Sequence, residues 1–283
     1  MRSLDGTIFS WVYDVAWSNC DEDLFDKISA AMTVFVLGSF ALNFFGPVRY
    51  GKSAGPISKH PNFLNYKLTS KFVWRYGFIA TILVPLLMAF VTPCSKIGNF
   101  CNAAGLTIHC LHYFNRTIIY PSKISPKATP QTLWFFLLMV LITTLHGFIQ
   151  SHHLLNVHTA SVTYVTYLGI LFYIVGASIN SYHDNLLINL RNTSTIAGGS
   201  DSSFNYKIPT GGIFEYVSCA NYFGELMEWW GFFMVTKGYP QFLFAIFATA
   251  FLGCRARFAH KFYKDKFGSE YPDHRKALIP FIY

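Results

Sequence analysis

ATPQTLWFFLLMVLITTLHGFIQSHHLLNVHTASVTYVTYLGILFYIVGASINSYH, residues 128–183, runs from Lys127 to Asp184 without one Asp, Glu, Lys or Arg. A water-soluble fold cannot bury that length of uncharged chain. A bilayer can, because about 20 apolar residues at 1.5 Å rise cross its hydrocarbon core of about 30 Å. The stretch divides into two such segments, 133–149 and 160–179. The rest of the chain agrees: of 283 residues, 52% are hydrophobic, 18% aromatic and only 13% charged. Soluble domains carry about 25% charged residues. Mean hydropathy is +0.33, the formal charge +8 and the pI about 9.1. These values exclude disordered, collagenous and disulfide-scaffold classes and leave an integral membrane protein.

Five further segments have spanning length: 28–45, 72–91, 98–120, 213–235 and 240–254. Short alternating strands, the mark of a membrane barrel, are missing from the sequence pattern. The expected architecture is an all-α, polytopic bundle of seven transmembrane helices. Lys and Arg counts orient it. Sixteen cations fall on one side: Arg49, Lys52, Lys59, Lys67, Lys71, Lys123, Lys127, Arg191, Lys207 and seven in the tail from Arg255 to Lys276. Four fall on the other: Arg2, Lys27, Lys96 and Lys237. The C-terminus is therefore expected in the cytosol. No repeat or linker divides the chain, so 1–283 reads as one domain. Residues 1–27 form an extramembrane segment without a signal-peptide pattern, and 255–283 a cytosolic tail.

Cys20, Cys94, Cys101, Cys110, Cys219 and Cys254 have no metal-finger or redox spacing and read as small apolar residues. Ten histidines raise the question of a metal. Their spacing lacks the several clusters a di-iron site needs, so no metal site is expected. The acceptor patterns at Asn115 and Asn192 read as chance, one inside a span and one on the cytosolic side.

Ionisable groups at membrane depth cost free energy unless paired or facing a cavity, and they mark function by default. Two clusters stand out: HYFNR at 112–116, and Asn221, Glu225 and Glu228, which recur on one helical face. On the cytosolic half, Asn180, Asp184, Arg191, Arg255, His260, Tyr263 and Arg275 gather polar and cationic groups. They suit either anionic lipid headgroups or a phosphate-rich ligand, since guanidinium forks match phosphate oxygens. No glycine-rich nucleotide motif is present, so any nucleotide site is neither Rossmann nor P-loop.

With these residues in view the chain resembles the steroid 5α-reductase family over nearly its whole length. The most specific stretches are YKIPTGGIFEYVSCANYFGELMEW at 206–229, RARFAHKFY at 255–263, YP at 271–272 and RKALIPFIY at 275–283. LHYFNRT at 111–117 is similar to the family's third-helix motif. The resemblance implies a seven-helix enzyme of the endoplasmic reticulum membrane, or of a bacterial inner membrane, with a cytosol-facing NADPH site. The implied reaction is 5α-reduction of the C4=C5 bond of a 3-oxo-Δ4 steroid or a related lipid enone. Tyr113 is the implied donor to the substrate carbonyl. Asn180, Asp184, Arg191, Tyr206, Asn221, Glu225, Arg255, His260, Tyr263 and Arg275 are the implied cofactor-binding residues. The implied partners are a small hydrophobic substrate and the bilayer; no nucleic acid is expected, and the chain is expected to be a monomer.

One position departs from the family pattern. The family carries a glutamate in its second helix, four residues after a tryptophan, as the partner of the tyrosine on the carbonyl. Counted from Trp74, that position is Phe78, and no Glu occurs between Glu22 and Glu215. Loss of one preorganised oxyanion donor costs about 2.7–4 kcal/mol. Arg75 or Tyr76 replaces the glutamate, or the substrate is a different enone or enoyl compound, or 3-oxosteroids are reduced poorly. The rival readings are an enoyl-CoA or polyprenal reductase, and a non-catalytic sterol- or lipid-binding protein of this fold.

Overall fold

The computed structural model describes residues 63, 66–92, 95–125, 128–196 and 206–283. The first expected span at 28–45, the segment 1–27, and Cys20 and Cys94 lie outside the described residues. At the other six span positions the chain is helical. Helix α1 (Ser70–Gly77) begins where the Thr69 side chain accepts from the Phe72 N–H at 3.3 Å. Helix α2 (Ala80–Val91) continues it after a break at Phe78–Ile79. Helix α3 (Phe100–Phe114) is capped by Asn99, whose side-chain oxygen takes the N–H groups of Cys101 and Asn102. It runs on through a turn of π-helix (Asn115–Ile119) into the short α4 (Tyr120–Lys123). Helix α5 (Leu133–His152) is capped by Thr132 and also ends in a π turn (His153–Val157). Helices α6 (Tyr164–Ile196), α7 (Ala220–Thr236) and α8 (Tyr239–Phe267) complete the bundle.

Among the described residues, four helical segments are long and apolar enough to cross a membrane: Ser70–Val91, Leu133–Val157, Tyr164–Arg191 and Tyr239–Glu270. The expected count of seven is thus met only in part. The expected third and sixth spans are not among the four. They correspond to α3 and α7, which bury polar groups: Asn102, His109 and His112 on one, Asn221 and Glu228 on the other. Several boundaries also differ from expectation; the fifth span, expected at 160–179, is a helix from Tyr164 to Ile196. Helix α7 starts at Ala220 and not at Ile213, because 212–215 is a 3-10 turn and Val217 bridges to Lys276 in extended form. Helix α8 carries thirteen residues of the expected tail, Arg255 to Phe267. Lys and Arg favour leaving the bilayer, but they are good helix formers and do not end a helix.

Outward faces are apolar, with Leu83, Leu87, Phe90, Leu141, Leu145, Leu171 and Ile174 exposed. An apolar surface of that extent suits lipid. Inside, α6 and α7 approach until their backbones touch. A Cβ at Gly176 would lie 2.6 Å from the Gly224 carbonyl oxygen, and one at Gly169 2.8 Å from that of Gly231. Small residues of this kind let membrane helices close in. The two glycine pairs recur at the same interval on each helix, so the contact runs along one seam. That seam sets Asn180 and Asp184 of α6 against Asn221, Glu225 and Glu228 of α7.

Connectors at the two ends are sewn together separately. At one end Lys96 donates to the Val157 carbonyl at 2.6 Å, and Lys237 to the Ser161 carbonyl at 2.6 Å and the Thr163 hydroxyl at 2.9 Å. At the other, β1 (Lys67–Leu68) pairs antiparallel with β2 (Gln131–Thr132). There also the C-terminal segment docks on the loop before α7, through Ser218 N–H to Lys276 O and Cys219 N–H to Ala277 O.

Candidate functional site

The π turn after α3 places Arg116 among acidic side chains of α6 and α7. A π-helical turn widens the helix by one residue, and such turns recur at functional sites. From one buried guanidinium, Nη1 donates to Asp184 Oδ2 at 2.7 Å. Nη2 donates to Glu225 Oε2 at 2.6 Å and Asn180 Oδ1 at 3.1 Å. Asn180 Nδ2 passes on to Glu228 Oε1 at 2.8 Å, and Asn221 Nδ2 to Asp184 Oδ1 at 2.9 Å. Glu228 Oε2 pairs with His112 Nδ1 at 2.8 Å. One arginine thus joins three carboxylates in a single hydrogen-bonded network. Removing one partner of such a buried set leaves an uncompensated charge, at about 3–5 kcal/mol.

Beside the network lies a cavity of about 280 Å³, lined among others by His112, Asn115, Tyr120, Tyr173, Asp184 and Glu228. That is near the lower end for ligand pockets. A second cavity, about 430 Å³ between α2 and α3, is lined by apolar residues including Ile82, Leu86, Leu106 and Phe114. Leu111 lines both.

Tyr113 sits one residue along from His112 and is 5% exposed. Its ring lies in a box of aromatic and imidazole rings. Ring centroids are 4.8 Å away at His109, 5.0 Å at His112, 5.7 Å at His146, 5.8 Å at Trp229 and 6.1 Å at Phe78. Tyr113 lines neither of these two cavities. Phe78 stands beside Tyr113 in space, where the family pattern of tryptophan and glutamate would put its acid. Tyr76 points elsewhere: it is 46% exposed and its ring lies 4.6 Å from Phe72.

The remaining expected residues gather at the tail-docking end. His260 Nδ1 and the Tyr271 hydroxyl both meet Ser218 Oγ at 2.6 Å. Tyr263 stacks on Tyr271 with centroids 5.7 Å apart. Arg275 is buried, donating to the Pro209 carbonyl at 2.8 Å and to Glu215 at 3.2 Å. The Gly211 N–H, and then Arg275, hold the Glu215 carboxyl below its usual range. Tyr206 packs edge-on against Phe262, and burial pushes its phenol up. Arg191 acts electrostatically on Tyr120, Tyr206 and Tyr263. Arg255 donates to the Tyr222 hydroxyl at 3.3 Å.

The ten expected cofactor residues thus fall into two groups. Asn180, Asp184, Asn221 and Glu225 share the Arg116 network. Arg191, Tyr206, His260, Tyr263 and Arg275 surround the docked tail, and Arg255 stands between the groups on α8. Arg116, His112 and Glu228 are absent from the expected set although they knit the first group together. The sequence does carry a signal for them: three carboxylates at membrane depth require a cation, and HYFNR holds one. The donors suit the two ends of a nicotinamide dinucleotide. Amide and carboxylate groups line the smaller cavity, and the guanidinium groups of Arg191 and Arg255 are of the kind that could pair with phosphates.

An α-helical membrane bundle with a buried arginine–carboxylate network next to a tyrosine box defines a polytopic membrane protein with an intramembrane polar site. The family model described as 3-oxo-5-alpha-steroid 4-dehydrogenase matches residues 129–283. The chain is 34% identical over 243 residues to 3-oxo-5-alpha-steroid 4-dehydrogenase 1 of Mus musculus, covering 84% of this chain and 91% of that protein. It is 32% identical over 260 residues to 3-oxo-5-alpha-steroid 4-dehydrogenase 2 of Homo sapiens, covering 90% and 96%. The chain belongs to this family, the steroid 5α-reductases, which are oxidoreductases acting on CH–CH bonds.

Proposed function

We propose that this protein is an NADPH-dependent reductase of the C4=C5 bond of 3-oxo-Δ4 steroids, or of a closely related lipid enone. It would work as one membrane-embedded domain, as a monomer, in the endoplasmic reticulum membrane with its C-terminus in the cytosol. The observation that carries the reading is the adjacency of Tyr113, buried among rings, to the network that His112 opens through Glu228.

NADPH, when bound, supplies a hydride to the β carbon of the enone. The chain's part is to receive the charge this creates. As the new C–H bond forms, the C=C electron pair moves toward the carbonyl, and negative charge grows on the ketone oxygen. The Tyr113 hydroxyl donates to that oxygen from surroundings with little water, where such a donor counts most. The enolate then takes a proton at the α carbon, ultimately from water, giving the saturated ketone. Arg116, Asn180, Asp184, Asn221, Glu225 and Glu228 would hold and orient the nicotinamide end. Arg191 and Arg255 would bind phosphates, while Arg275, His260, Tyr206 and Tyr263 would keep the loop before α7 closed over the cofactor.

The test is purified protein in detergent with NADPH and a 3-oxo-Δ4 steroid. The expected product is heavier by two hydrogens, and Tyr113→Phe lowers turnover at least about tenfold with cofactor affinity little changed. Absence of NADPH binding would overturn the reductase reading and leave a lipid-binding protein. Full activity in Tyr113→Phe would overturn the donor assignment.

A further inference from the structure

An enolate oxygen is best held by two donors, and the family's second one is lost where Phe78 stands. The box around Tyr113 contains three imidazoles, from His109 and His112 of α3 and His146 of α5. His112 has its Nδ1 committed to Glu228. His109, fully buried, contacts the Thr81 carbonyl through Nε2 at 3.0 Å. A carbonyl only accepts, so Nε2 carries the proton. In the neutral ring Nδ1 then has only a lone pair to offer. His109 Nδ1 is buried without a partner.

His146 differs from both. It is 7% exposed, its ring lies 4.1 Å from Phe244 and 5.7 Å from Tyr113, and its Nε2 is buried with no hydrogen-bond partner. A buried polar group left unsatisfied destabilises the fold that holds it. In the tautomer with the proton on Nε2, which a donor role requires, this unpartnered nitrogen beside the tyrosine is an N–H donor open to a ligand oxygen. We propose that His146 is the second donor to the substrate carbonyl, taking over in this protein the part of the glutamate replaced by Phe78. His109, fixed by Thr81 and packed against both His146 and Tyr113 at 5.3 and 4.8 Å, positions the pair. This rests on the reductase reading above. It adds no new chemistry to the step: the hydride donor and the proton source are unchanged, and the charge on the enolate oxygen is shared between the Tyr113 O–H and the His146 N–H.

The experiment compares His146→Leu with His146→Asn, side chains of similar shape of which only Asn retains an N–H donor. NADPH affinity and melting temperature verify that each variant is folded. His146→Leu is expected to lower kcat for a 3-oxo-Δ4 steroid about a hundredfold with KM little changed, as for a donor that strengthens in the transition state. His146→Asn should recover at least about tenfold of that loss. Equal losses in both variants would make His146 a packing residue and overturn the proposal. So would full activity in His146→Leu alongside a loss in Tyr113→Phe, which leaves the reductase reading standing. If neither His146→Leu nor Tyr113→Phe alters turnover, the carbonyl site itself is misassigned and the proposal falls with it. Should His146→Leu not fold, His146→Phe, which keeps a ring against Phe244, replaces it with the same expected loss.

Discussion

Phe78 stacks between Trp74, at 5.1 Å, and Tyr113. Its ring fills space that an acid would have to share with an apolar wall. A carboxyl in such a place is kept neutral by its surroundings and can itself donate a hydrogen bond. If His146 already supplies the second donor, Phe78→Glu in the otherwise unaltered protein should change steroid turnover by less than about threefold. In the His146→Leu background the same substitution should raise turnover by at least about tenfold, because it restores one oxyanion donor of two. Steady-state kinetics on the single and double variants measure this directly. A large gain in the single variant would mean that no second donor exists. The count from Trp74 makes Phe78 legible in the sequence, but nothing comparable marks His146. The two lie 68 residues apart, one at the end of α1 and the other in α5. No helical period links positions on two different helices, so only the structure reveals that both pack against Tyr113.

At the scale of elements, the site depends on how closely α6 and α7 approach. A Cβ at Gly224 would lie 2.5 Å from the Asn180 backbone nitrogen and 2.6 Å from the Gly176 carbonyl oxygen. Both obstacles are backbone, which cannot swing aside as a side chain can. Gly224→Val should therefore force the helices apart and cost about 1–3 kcal/mol as an overpacked contact. It should also weaken NADPH binding at least about tenfold, roughly the loss of one hydrogen-bonded contact, because Asn180 and Asp184 would leave the reach of Glu228 and Asn221. Melting temperature in detergent and cofactor titration check the two effects. Unchanged values for both would show that the glycine seam does not organise the network. The helices themselves are legible in the sequence because lipid demands long apolar runs, and the face carrying Asn221, Glu225 and Glu228 is legible from its spacing. The cation that joins them stands in the HYFNR motif, but a π turn shifts Arg116 relative to a regular helix, so its direction is not. The docking of Arg275 on Pro209 and Glu215 joins positions 66 and 60 residues apart and leaves no local pattern.

For the whole molecule, the distribution of cations and the sewing of the connectors bear on the same question of orientation. On the expected seven-span topology, sixteen Lys and Arg residues would belong to the side of the C-terminal segment and four to the other. Two of those four, Lys96 and Lys237, are tied to connector oxygens at Val157 and Ser161. A cation engaged in this way stabilises a loop, and its charge is a weaker topological signal than that of an exposed lysine such as Lys207. Arg275, Arg255 and Lys123 on the other side are engaged in the same way, so the expectation of a cytosolic C-terminal end rests on the raw count. Cysteine labelling in sealed microsomes with the cytosolic face outward tests this. Lys207→Cys should react with a membrane-impermeant maleimide in intact vesicles, whereas Ser161→Cys should react only after permeabilisation, each measured against the unsubstituted protein as background. The opposite pattern would invert the molecule and place the proposed phosphate-binding arginines on the lumenal side, out of reach of cytosolic NADPH.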